Sequence, residues 1–122
     1  GVAVPHLSLK DVWDEMQSPA PGIKIFEAVD QRQYRNGYLL AKQLNESDIP
    51  VTVFGKESRK LVSVSAFNCK DLTPTQLVSL RYGEHGAPIG IDFFMSQGPL
   101  RLEKNKQRFA LACSLMSRQP SP

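Results

Sequence analysis

Only two cysteines and two histidines occur in the 122 residues, and their positions exclude two classes of protein. Cys69 and Cys113 are too few for a disulfide framework, and neither stands at metal-ligand spacing from His6 or His85. Both are therefore expected as reduced thiols, in an intracellular protein of the cytoplasm or nucleus. No apolar run approaches the roughly 18 residues a spanning helix needs, and no charged-then-apolar leader precedes a cleavage site, so no membrane insertion is expected. A nucleotide-binding glycine loop is missing too. Gly55, Lys56, Glu57 and Ser58 have a phosphate loop's composition, but they lead into a strand-like run, whereas a phosphate loop opens a helix. No spaced pair of carboxylates has a visible reason to differ in pKa, and no cofactor is expected.

What is present suits one folded domain over residues 1–122, with 41% hydrophobic and 22% charged residues and a flexible tail at 117–122. The start at Gly1 reads as a domain excised from a longer protein. Residues 1–54 hold five Lys or Arg against seven Asp or Glu, whereas residues 55–122 hold ten against five. An acidic partner would meet the second half.

Local patterns suggest the elements. Ser8 and Asp11 resemble a capping box ahead of Leu9, Val12, Trp13 and Met16, which repeat at helical spacing. A strand from Ile23 to Val29 precedes a long amphipathic segment from Asp30 to Glu46, with Tyr34, Tyr38, Ala41 and Leu44 on one helix face and Gly37 marking a close approach. Val51–Phe54 and Leu61–Phe67 read as an antiparallel strand pair. Thr73, Pro74 and Gln76 form a second capping signal, for a helix to about Tyr82. Ile89 to Met95 read as a fourth strand. Leu100 and Leu102 extend toward a last helix bearing Phe109, Ala112, Cys113 and Met116.

That order predicts an α+β fold: a four-stranded, mainly antiparallel sheet of βαββαβ (ferredoxin-like) connectivity with two helices on one face. Period-2 alternation places Ile23, Ile25, Val51, Val53, Val62, Val64, Ile89, Ile91 and Phe93 under those helices. Phe26, Phe54, Phe67 and Phe94 face the other way. They form either a stacking platform for single-stranded bases or a surface covered by the two terminal helices through Trp13 and Phe109. The covered arrangement is expected, because both helices must bury their apolar stripes.

No catalytic set stands out. Cys69, His85 and Asp92 can be drawn as a thiol triad without a local signature, and a metal site from Glu84, His85 and Asp92 asks neighbouring side chains to converge. The leading expectation is a non-catalytic docking or assembly module that binds a protein partner or other domains of its parent chain. Its surface would be an open edge at the second or fourth strand, or the outer face of a terminal helix. The alternative is nucleic-acid binding through Lys56, Arg59, Lys60, Arg101, Lys104, Lys106 and Arg108. A small thiol-dependent enzyme comes third.

Overall fold

The computed structural model describes residues 7–92, 96–97 and 102–119, the side chains of 92, 96 and 97 aside. The expectations for His6, Phe93, Phe94, Met95, Leu100, Arg101 and the tail at 120–122 lie outside the described residues. The chain forms β1 (Asp14–Glu15), β2 (Ile23–Arg35), β3 (Tyr38–Val53), β4 (Lys56–Asn68) and β5 (Pro74–Gly83), then β6 (Pro88–Asp92), β7 (Ser96–Gln97) and α1 (Glu103–Met116). A 3₁₀ turn at Glu84–Gly86 joins β5 to β6. The sheet is an antiparallel meander in the order β1-β2-β3-β4-β5-β6, and β7 pairs with β5. The four-stranded ferredoxin-like arrangement is thus overturned. Among the described residues there is one α-helix, and the segments expected as helices at 8–16, 30–46 and 73–82 are extended or irregular.

The largest correction lies at Asn36–Gly37. Both residues adopt the left-handed region, at φ 51° and 83°, and Arg35 pairs directly with Tyr38. This two-residue turn matches the right-handed twist of its strands, and Asn-Gly suits it because both positions need positive φ. Gly37 therefore turns a hairpin instead of easing a helix contact. Phe54–Gly55 turns β3 into β4 in the same way, at φ 51° and 74°, with Val53 opposite Lys56. The antiparallel pairing expected of these runs is present, through a tighter turn and over longer strands. In the third corrected segment Pro74 opens β5, a position where its missing N–H is tolerated. Asp71 there accepts the Thr73 N–H at 2.9 Å, and Thr73's donors hold the Asp71 carboxyl below its ordinary pKa.

Both faces of the sheet are covered, by different means. On one, α1 lays Phe109, Ala112 and Cys113 against Leu39, Ala41, Phe67 and Met16, with the Phe67 and Phe109 rings stacked at 4.1 Å. On the other, the irregular segment from Leu7 to Trp13 lies over Leu40, Leu44, Val62 and Val64. Alternation along β4 was legible, but Phe67 faces α1 while Val62 and Val64 face away from it. Ile25 packs against the cluster that contains Phe67 and Phe109, and Phe26 against the one that contains Val62, so these strands do not sort as expected. Trp13 is half-buried, donates its indole N–H to the Leu9 carbonyl at 3.0 Å, and shares no face with Phe109.

Tyr82 ties down the N-terminal segment by donating its hydroxyl to the Leu7 carbonyl. Burial pushes this phenol above its ordinary pKa of 10.0. The folded chain therefore keeps a proton that the unfolded chain releases, and this stabilisation is complete below about pH 10 and lost as pH rises through the folded value. Denaturation midpoints measured from about pH 9 to 12 should fall more steeply for the parent than for Tyr82→Phe. Equal slopes would remove the assignment.

Candidate functional site

Three features could carry function: an ionic strap along the β2 edge, a cleft at one end of the sheet and an apolar tip at the other. The strap begins with Glu27, whose side chain is 0% exposed and receives Arg32 at 2.6 Å and Arg108 at 2.8 Å. Arg108 also reaches Asp14 at 3.5 Å. On the opposite face Lys42, 1% exposed, pairs with Asp11 and lies 5.5 Å from the Trp13 ring centroid, a cation–π distance. Gln17 and Asn105 close the crossing from strap to helix by reciprocal hydrogen bonds of 2.9 and 3.0 Å. These groups satisfy one another, which marks them as structural.

The strap also explains the sheet edges. Between Ala28 and Gln33 four residues of β2 oppose one of β3, a wide bulge that returns Arg32 to Glu27 and distorts the outer edge. Bulges, a two-residue edge strand at β1 and Pro88 at the start of β6 all discourage pairing with another chain.

The residues expected as a basic surface are dispersed. Lys60 pairs with Glu46 at 3.7 Å, and Arg59 donates to the Asp48 carbonyl. That bond spans a second bulge, where residues 47–50 face Arg59 alone. Lys56 follows the Phe54–Gly55 turn. Lys104 and Lys106 lie on α1, Arg108 is held by Glu27 and Asp14, and Arg101 lies outside the described residues. Ser58 of the loop compared with a phosphate site is buried and donates to the Tyr82 carbonyl at 2.7 Å. Nor does the thiol triad assemble. Cys69 is bonded to Cys113 with Cα atoms 5.7 Å apart, which corrects the expectation of reduced thiols. His85 follows β5 and Cys69 follows β4; since these strands are antiparallel, the two residues stand at opposite ends of the sheet, about 30 Å apart at the rise of a strand. The described residues bring no three metal-ligating side chains together.

The Cys69–Cys113 bond fastens the last turns of α1 to the turn after β4, and the Cys69 N–H donates to the Gly37 carbonyl at 2.9 Å. Between them opens a cleft of about 660 Å³ edged by Tyr34, Tyr38, Asn36, Asn68 and Lys70. At the far end the β3–β4 hairpin projects Phe54, 85% exposed, and Ile49, 78% exposed, with Val51 beside them. The Phe54 ring crosses Gly90 of β6, where a Cβ would stand 3.3 Å from Cε2. A groove of about 400 Å³ runs alongside between Val53, Leu61, Arg81 and Ile91. Neither the cleft nor the tip was found from sequence, although Asn36-Gly37 was a visible signal for the turn that shapes the cleft.

No family model matches the chain, and no curated protein does. Two solved structures of Haemophilus influenzae protein E share its architecture. Crystal form II superposes with a TM-score of 0.67 at 10% identity, covering 95% of this chain and 98% of that one. The other structure gives 0.63 at 12% identity, covering 98% of this chain and 96% of that one. At such identity the likeness establishes the meander-and-helix fold and nothing about activity.

Proposed function

We propose that the chain is a non-catalytic interaction module that docks a protein partner through the tip of the β3–β4 hairpin. The observation that carries this reading is Phe54. A bulky residue at positive φ is disfavoured by about 1 kcal/mol or more, and its ring is left almost wholly in water. The fold gains little from either. From Ile49 to Gly55 the tip holds no charged residue, and a convex apolar tip fits a partner's apolar pocket, the geometry in which aromatic anchors contribute most. Behind it stand Glu46, Asp48 and Glu57 with Lys56, Arg59 and Lys60, three charges of each sign. That balance favours a protein partner over a polyanion and weakens the case for nucleic acid. The bonded cysteine pair supports an oxidising compartment over the intracellular one expected from two isolated thiols.

Phe54→Asn separates docking from folding, because it recreates the Asn-Gly turn already used at residues 36–37. Stability should hold or rise by up to about 1 kcal/mol. A partner captured on the parent chain, purified and titrated back, should bind at about 0.5 M salt and lose at least about tenfold in affinity to Phe54→Asn. A partner that binds both chains equally, or a ligand displaced by salt alone, would sink the reading.

A further inference from the structure

We propose that the cleft beside the Cys69–Cys113 disulfide is a binding site for a neutral or singly acidic oligosaccharide. Its size, about 660 Å³, lies within the range of small-ligand sites and would seat a few sugar rings. Its chemistry selects among ligands of that size. Two tyrosines contribute to its walls, and Tyr38 is 46% exposed. A phenol ring offers a flat apolar face to the C–H side of a pyranose and a hydroxyl at its rim. The Asn36 amide, the Tyr34 and Tyr38 hydroxyls and the Lys70 ammonium make no hydrogen bond or ion pair to another described residue. An amide presents donors and an acceptor side by side, which suits adjacent hydroxyls.

The competing ligand classes fit less well. Among the described residues no carboxylate lines the cleft, so they offer nothing to pair with an amine or a metal cation. Lys70 is the single cation among the described lining residues, and the adjoining end of α1 is the C-terminal end, where the partial charge is negative; a polyphosphate would be held poorly. An added peptide strand needs free backbone groups, but here the Cys69 N–H is taken by Gly37, the Asn68 N–H by Thr73 and the Leu72 N–H by Asn68. What remains is a ligand with many hydroxyls, apolar ring faces and at most one negative charge. The disulfide fixes the distance between the helix wall and the turn wall, so the cleft exists before the ligand arrives, which lowers the cost of binding.

The test takes the full oxidised chain, isotopically labelled, and titrates it with maltotriose, diacetylchitobiose and sialyllactose, with trialanine and inorganic phosphate as the competing chemistries. Saturable shifts are expected at the amides of Asn36, Gly37, Lys70 and Ser114 with at least one saccharide, with a Kd of about 1 mM or tighter. Tyr38→Ala and Asn36→Gly, which leave the core and the turn geometry in place, should each weaken that binding about tenfold. Phe54→Asn should leave it unchanged, so failure here is separable from failure of hairpin docking. No shift with any saccharide at about 10 mM, shifts with trialanine or phosphate alone, or binding indifferent to both cleft variants would each overturn the proposal.

Discussion

Replacing both Cys69 and Cys113 by alanine should lower the unfolding free energy by about 4 kcal/mol, the loss expected for releasing a loop of 44 residues. A domain of this size has about 5–15 kcal/mol in total, so the unlinked chain would stand close to its folding threshold. The effect should be large because of what the bond joins. Without it, α1 is held to the sheet by Phe109 and its neighbours and by Arg108, Asn105 and Gln17, while the turn after β4 is anchored chiefly through the Gly37 carbonyl. Denaturant titrations of the oxidised parent, the reduced parent and the double-alanine chain measure this. Agreement between the last two, both well below the first, is the expected result; a difference under about 1 kcal/mol would show that the packing of α1 suffices.

Asp11→Ala should cost about 3 kcal/mol or more, although Asp11 lies in an irregular segment. Its removal strands Lys42, which is 1% exposed and pairs with no second carboxylate among the described residues, leaving the Trp13 ring 5.5 Å away. A buried ammonium without a counter-charge is costly, whereas an apolar side chain of similar volume is not. Lys42→Met in the Asp11→Ala background should therefore recover most of the loss, and Lys42→Met with Asp11→Leu should approach the parent. Additive penalties across these chains would mean the pair is not coupled. Glu27→Ala should be milder than its full burial suggests, because Arg32 and Arg108 are 17% and 24% exposed and can turn to water.

The same two features show why sequence patterns misled. Tyr34, Tyr38, Ala41 and Leu44 repeat at helical spacing, and the strand that contains most of them is buried on both faces. Leu39, Leu40 and Ala41 then run together without alternation, as expected of a strand covered on both sides, and Lys42 interrupts them because its charge is met by Asp11. The Asn-Gly dipeptide at the centre was the stronger signal. On β5, Val78, Leu80 and Tyr82 do alternate, but Thr73 and Pro74 imitate a helix start. The final helix was legible because only one side of it is buried, so Phe109, Ala112, Cys113 and Met116 keep an uninterrupted 3.6-residue period. The disulfide left no local trace, since α1 brings Cys113 to Cys69 from 44 residues away. The candidate sites are hidden for a related reason: the cleft and the tip depend on where turns fall, and the residue pattern at those turns resembles helix and loop.

The meander has a consequence for the order in which the molecule becomes complete. Hydrogen-bonded neighbours from β2 to β5 are also consecutive in sequence, and two of their connections are two-residue turns, so little chain entropy opposes each pairing. Contacts of this local kind form early. The pieces that cover the faces are the distant ones, as the bonds of Gln17 to Asn105 across 88 residues show. A chain emerging from a ribosome or an export channel can therefore assemble its hairpins on the way out, yet it presents a sheet with one apolar face bare and the Cys69 thiol unlatched until α1 emerges. Any factor that guards against misassembly or premature oxidation has to act within that interval.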